Sequence, residues 1–216
     1  LYGWRLYGDL GIMNGLGNDL TNRYPPYFSS KLMPFFVRGG DTVLRAASDY
    51  SLLSAYAVRR TNGALTLLAI SKDSVSNLTA QIALNGFTPG ASATIYSYGM
   101  TQDNAAKTGT GSCDLATNFL AVTTNFNYSF PPYSLTVFSF APAAPSLKAS
   151  PLQPGAGQFV LQLAGQSGTP YVLQVSTNLS EWTSVSTNVA AASSVNITNT
   201  PVSGAAGQFW RAVWQP

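Results

Sequence analysis

A mainly β protein is what this sequence predicts: an antiparallel β-sandwich, a second and smaller β-sandwich, and a single helix ahead of both. Three observations carry that expectation. After Asp41 the apolar residues alternate with polar ones at a period of two, as in half-buried strands. Turn-forming residues interrupt the alternation at short intervals, the spacing of an antiparallel sandwich. Charged residues are only 9% and hydrophobic residues 45% of the 216, with Ser, Thr, Asn, Gly and Ala filling much of the rest. That balance is too apolar for a disordered chain and lacks the long Glu/Lys helices of many cytosolic proteins. It is the composition of a secreted β-rich protein.

The helix is placed at Tyr27 to Phe36. Tyr24-Pro25-Pro26 leads into it, since proline is tolerated in a first helical turn. Phe28, Leu32 and Phe35/Phe36 recur at helical spacing, and Gly39-Gly40 is the expected stop. A helix without helical neighbours in sequence cannot bury such a face within residues 1–40. The segment therefore reads as the tail of a larger structural unit.

Strands are expected at Thr42–Ser48, Leu52–Arg60, Ala64–Lys72, Leu78–Asn85, Ala91–Tyr98, Phe119–Thr124 and Ser134–Phe140. Arg60-Thr61-Asn62-Gly63 is a hairpin signal, because Asn-Gly accepts the positive φ angles of a tight turn. In the fourth strand Leu78, Ala80, Ile82 and Leu84 alternate with Thr79, Gln81 and Ala83. Met100–Asn118 carries little strand pattern and reads as a long excursion. Ala141 to Gly155 contains four prolines among small residues, the composition of a stiff linker. Beyond it, strands are expected at Gln158–Ala164, Tyr171–Thr177, Trp182–Thr187, Ser194–Thr198 and Phe209–Trp214. The domain reading is thus residues 1–40, a sandwich at 41–141, a linker at 142–156 and a small module at 157–216. So small a module approaches the lower limit for an independent core, which its tryptophans would have to fill.

Several function classes are excluded or disfavoured by composition. The formal charge is +3, from few and scattered charges. No basic stripe forms, so a nucleic-acid partner is not expected. No run is long enough to span a membrane, and no signal peptide is visible. Cys113 is the only cysteine and histidine is absent, which removes internal disulfides and Cys/His metal sites. No cofactor is expected; a structural calcium held by Asp and carbonyl oxygens is compatible with the residues but required by no spacing. Asn77, Asn127, Asn178 and Asn196 fit the glycosylation sequon, a frequent coincidence in so Asn/Ser/Thr-rich a chain.

Four runs carry a resemblance: Tyr27-Phe-Ser-Ser-Lys-Leu-Met33, Gly40-Asp-Thr-Val43, Leu53-Ser-Ala-Tyr-Ala57 and Gly63 to Lys72. Leu84-Asn-Gly-Phe87 and Ala93 to Tyr98 extend it. Together they resemble the C-terminal region of bacterial glycoside hydrolases built on a (β/α)8 barrel, of the family 44 type or the related 39 and 51 types. The resemblance covers about residues 1–140 and implies that the helix is the last of a catalytic barrel, leading into an accessory sandwich. Tyr171 to Leu179, Trp182 and Phe209 to Val213 are similar to small immunoglobulin-like modules appended to secreted bacterial proteins.

Glycoside hydrolysis needs two carboxyl groups roughly 5–10 Å apart. This chain has one glutamate, Glu181, and seven aspartates placed mostly beside turns. None matches the catalytic glutamates of the families resembled, so no catalytic residue is assigned. Trp4, Tyr7 and Asp9 are the candidates for a substrate rim: on the resemblance they follow the last barrel strand, where an aromatic ring would stack on a sugar and Asp9 would bond a hydroxyl. The opposing reading packs the two rings between barrel and sandwich. It is the stronger one, since loop aromatics pack as readily as they bind. Trp182, Trp210 and Trp214 invite a glycan-stacking reading. Trp210, Ala212 and Trp214 share one side of a strand, inward for a core or outward for a binding strip, and the module's size favours the core.

The function expected is the non-catalytic end of a secreted, polysaccharide-degrading glycoside hydrolase, supporting a barrel held elsewhere. The partners expected are that barrel, docked through the apolar face of helix 27–36, and the polysaccharide. A carbohydrate-binding module acting through exposed aromatics is the alternative, and an adhesive cell-surface repeat is a third.

Overall fold

The computed structural model describes residues 23–150, 157–191, 194–200 and 207–216. The fold is mainly β, with antiparallel sheets and two helices among these residues. Helix α1 is Pro25–Phe36, with its prolines at the first turn as expected and Pro34 near its end. Pro34, lacking an N–H, gives up the hydrogen bond to the carbonyl four residues earlier. The chain leaves the helix at Val37, in extended conformation, two residues before the glycines read as the stop. Gly40, at φ +88°, then turns the chain toward the first strand.

The larger sandwich contains β1 (Thr42–Leu44), β2 (Leu53–Arg59), β3 (Leu65–Ser71), β4 (Leu78–Ala83), β5 (Pro89–Gly99), β6 (Ala116–Ala121), β7 (Asn125–Phe130) and β8 (Ser134–Pro142). Six of them form one antiparallel sheet in the order β1-β2-β3-β8-β5-β6; β4 and β7 pair as a two-stranded sheet. Between the sheets lie Leu65, Leu67, Ala93, Ile95, Phe138 and Phe140 from the large one, facing Phe126, Tyr128 and Phe130 from the small one. Phe138 anchors this layer, with ring centroids 4.9 Å from Tyr128 and 5.9 Å from both Phe126 and Phe140. Such pairs contribute about 0.5–1.5 kcal/mol each beyond their area burial. The alternation read in β4 holds: Leu78, Ala80 and Ile82 turn inward. Strand β7 was not expected as a separate strand, and its inward Phe126, Tyr128 and Phe130 supply half of the aromatic layer.

The opposite face of the large sheet receives α1. Phe28, Leu32 and Phe36 are buried there, Leu32 completely, against a layer that includes Val58, Leu68 and Val137. Phe28 stacks on Tyr98 and Phe35 on Tyr96, at centroid distances of 4.7 and 4.1 Å. Each buried side chain contributes about 1.5–3 kcal/mol. This corrects the expectation that the apolar face of α1 waits for a barrel. The sheet downstream in the same chain covers it, because Tyr96, Tyr98, Leu68 and Val137 alternate outward and make a second apolar surface.

Helix α2 (Met100–Thr108) occupies the stretch read as an excursion, with Gly109 in left-handed conformation at its end. The hairpin at Arg60–Gly63 forms, but only Gly63 takes a positive φ, +90°. Gly63 N–H bonds Arg60 O at 2.9 Å and Arg60 N–H bonds Ala64 O at 2.8 Å, a type I turn closed by a glycine bulge rather than the tighter Asn-Gly turn.

The smaller sandwich stacks two three-stranded antiparallel sheets. One has the order β13-β10-β9 and the other β12-β11-β14. The strands are β9 (Ser146–Ala149), β10 (Phe159–Ala164), β11 (Pro170–Ser176), β12 (Thr183–Val189), β13 (Val195–Asn199) and β14 (Phe209–Trp214). Leu163, Tyr171 and Ala190 form its centre, joined by Leu147, Ile197, Ala212 and Trp214. Strand β9 lies inside the segment read as a linker. Among the described residues it is an edge strand pairing with β10, a position that tolerates flanking prolines.

Candidate functional site

Trp4, Tyr7 and Asp9 lie outside the described residues. Trp182, Trp210 and Trp214 are described, and they do not form one strip. On β14, Trp214, Ala212 and Trp210 pair with Tyr171, Leu173 and Val175 of β11. Tyr171 and Leu173 are buried, so this side of β14 faces the other sheet, and Trp210 meets Phe159 of β10 edge-on at 5.4 Å. Trp214 packs against the module's centre and donates from Nε1 to the carbonyl of Asn62 in the larger sandwich, at 2.7 Å.

Trp182 lies on the outer side. The Arg211 guanidinium sits 4.0 Å from its ring centre, and its Nε1 donates to Leu179 O at 3.1 Å. Leu179 takes a left-handed φ of +64°, held by a turn in which Ser176 Oγ accepts its N–H and Asn178 Oδ1 accepts those of Ser180 and Glu181. Arg211 also donates to Gln174 Oε1 at 2.9 Å, and Gln174 Nε2 to Ser184 Oγ at 3.3 Å. The arrangement stacks a cation on the indole and places amide and hydroxyl groups beside it.

A second feature is a groove of about 970 Å³ in the larger sandwich. Its floor is the inner face of β2 and β3, including Ala55, Ala57 and Leu67; its wall is β4 and the residues after it, including Ile82 and Phe87. It opens because the two-stranded sheet is narrower than the six-stranded one. Among the described residues, strands β1 and β4 are the edges beside the opening, each hydrogen-bonded to one neighbour. Arg59, Gly86 and Gln166 contribute to the lining, the last from the small sandwich. Sequence reading missed this groove. Its one local signal was the run of small residues Ala55 and Ala57 on the inner face of β2, where larger ones would have filled the gap.

Four of the described carboxylates serve local structure. Asp41 pairs with Arg60 at 2.8 Å. Asp114 pairs with Lys31 at 2.5 Å, and that ammonium is the main cause holding its carboxyl below the usual range. Asp73 is likewise held low, by the backbone N–H groups of Ser76 and Val75. Asp103 pairs with Lys107 one turn along α2. Among the described residues no group of three Asp, Glu or Cys residues is placed to hold a metal ion. Burial, with smaller contributions from Asp103 and Cys113, pushes the Tyr98 phenol up to about 12. Among the same residues no helix is long and apolar enough to cross a membrane.

No protein-family model matches this sequence, and no curated protein matches it. Solved structures do show similarity. A bifunctional glucanase-xylanase from a metagenome library is 22% identical over 46% of this chain and 18% of its own, with a TM-score of 0.39. A family 30 endoxylanase from Clostridium papyrosolvens is 17% identical over 55% and 28%, with a TM-score of 0.44. The catalytic domain of a family 30 xylanase from Talaromyces cellulolyticus is 14% identical over 61% and 27%, with a TM-score of 0.48. The similarity thus spans between 18% and 28% of the length of these enzymes.

Proposed function

We propose that this chain is the accessory, non-catalytic β-part of a secreted polysaccharide-degrading glycoside hydrolase, and that it supports a (β/α)8 barrel supplied by the rest of that enzyme. The observation that carries the reading is the groove. The outer face of the six-stranded sheet is covered by α1, whereas part of the inner face stands open between two edge strands. Apolar surface left open at such an edge marks a contact with another protein element. The occupant proposed is the barrel-bearing part of the enzyme. The sequence resemblance over residues 1–140 supports the same assignment. So does the use of Asp41, Asp103 and Asp114 in ion pairs with basic neighbours, which leaves them poorly placed as a catalytic pair. The appended sandwich is read as an immunoglobulin-like module.

Two measurements test this. The purified chain should release no sugar from xylan or β-glucan, and hydrolysis by the chain alone would overturn the proposal. Co-expressed with the barrel of its enzyme, it should co-purify, and Ala57→Glu in the groove floor should abolish the association while circular dichroism stays unchanged. Association that survives Ala57→Glu would place the contact elsewhere and remove the groove from the reading.

A further inference from the structure

The small sandwich touches the larger one directly. It grips the larger one at two loops. Gln166, in the turn between β10 and β11, accepts the Thr88 N–H through Oε1 and donates to Gly86 O through Nε2, both at 2.9 Å. This side-chain amide satisfies the backbone of the 86–88 loop as a paired strand would. Arg59, at the end of β2, donates to Ser167 O and, at 3.2 Å, to Thr169 Oγ1. Trp214 Nε1 reaches Asn62 O in the β2–β3 hairpin. In that hairpin a Cβ on Gly63 would lie 2.6 Å from the Thr169 side chain, so the two segments meet with no room for a larger residue. Thr169 is completely buried.

Both gripped segments adjoin one end of the groove, where Arg59, Gly86 and Gln166 line it. From these contacts we infer that the small sandwich acts in cis as a clamp. It fixes the 60–63 hairpin and the 86–88 loop, couples the folding of the two sandwiches, and sets the groove's shape at that end. This role differs from glycan binding and from adhesion, since the residues that carry it face the same chain. It stands or falls independently of what fills the groove.

Tryptophan makes the coupling measurable. Trp182, Trp210 and Trp214 all lie in the small sandwich. In a Trp4→Phe background fluorescence therefore reports that sandwich, while far-ultraviolet circular dichroism reports both. In guanidinium the two signals should trace one coincident transition. Two separated transitions in that protein would overturn the clamp, and the test needs no interface substitution that might prevent folding. Native-state hydrogen exchange gives the second arm. Gln166→Ala should speed exchange of the Thr88 amide about tenfold while leaving the Phe138 amide in the core unchanged. An unchanged Thr88 amide would overturn the inference even if the chain remained folded and stable.

Discussion

Asp41 and Arg60 form an ion pair at 2.8 Å in which the side chains are only 2% and 14% exposed. Asp41 lies between α1 and β1, and Arg60 opens the β2–β3 hairpin. The same carboxylate accepts the Arg38 N–H at 2.7 Å and the Thr61 N–H at 3.1 Å, while Arg60 reaches Phe35 O at 3.2 Å. One carboxylate thus ties the end of the helix to the hairpin that the small sandwich grips. Removing one partner of a buried pair leaves the other charge uncompensated, at about 3–5 kcal/mol. Asp41→Ala is expected to cost about 3 kcal/mol in guanidinium unfolding. The double variant Asp41→Ala, Arg60→Ala is expected to cost less than the sum of the two single changes.

Gly63 and Gly86 both hold positive φ, +90° and +75°, but differ in what surrounds them. A Cβ at Gly86 meets nothing within 4 Å, whereas at Gly63 it would strike Thr169. Gly86→Ala therefore carries the conformational penalty alone, about 1 kcal/mol. Gly63→Ala adds a clash inside the interface and is expected to cost at least about 2–3 kcal/mol. Equal losses at the two positions would show that the sandwiches are not pressed together at Thr169.

Tyr98 supplies a pH dependence on the alkaline side. It is buried beneath α1 and stacked on Phe28, and its phenol titrates near 12 in the fold against about 10 in an unfolded chain. The folded state binds the proton more tightly, so this contribution is intact below pH 10 and is lost as pH rises toward 12. Unfolding followed at pH 8 and pH 11.5 should show about 1–2 kcal/mol more loss for the native chain than for Tyr98→Phe. Identical losses would mean that Tyr98 reaches solvent as α1 opens.

Asp114 works in the opposite direction. Its carboxyl is held low chiefly by Lys31, so the stabilisation is present at neutral pH and disappears as pH falls through the folded-state value. Both side chains are well exposed, at 39% and 47%, and solvent screens the pair. Asp114→Asn is expected to cost less than about 1 kcal/mol at pH 7 and nothing measurable in 1 M salt.

Particular residues show what was legible in the sequence. Leu78, Ala80 and Ile82 announced β4 because Thr79 and Gln81 between them are polar and face water. Phe126, Tyr128 and Phe130 follow the same rule, yet Asn125, Asn127 and Ser129 between them are also turn formers, and local pattern cannot separate the two uses. Leu147 was hidden between prolines that an edge strand tolerates. Helix α2 has nine residues and no apolar stripe, so neither period marks it. The placement of α1 depended on Tyr96 and Tyr98, about seventy residues downstream, whose outward face has no meaning until the sheet exists. Likewise the bond from Trp214 to Asn62 joins residues 152 positions apart. Alternation reveals which side of a strand is apolar, but what covers that side is decided by topology.

Trp182 separates the scaffold reading from the carbohydrate-binding one. Trp210 and Trp214 face inward, so a glycan platform on this module would rest on Trp182. Its ring already carries the Arg211 guanidinium, and its N–H is engaged by Leu179 O. A pyranose would have to displace that cation or use the other face of the indole. The structural role predicts a loss of about 2 kcal/mol for Trp182→Ala, combining lost packing with a cation–π contact of about 0.5–1 kcal/mol. It also predicts no retention of the native chain on insoluble cellulose or xylan. Retention abolished by Trp182→Ala, in a variant that keeps its circular dichroism, would instead assign the module a binding function.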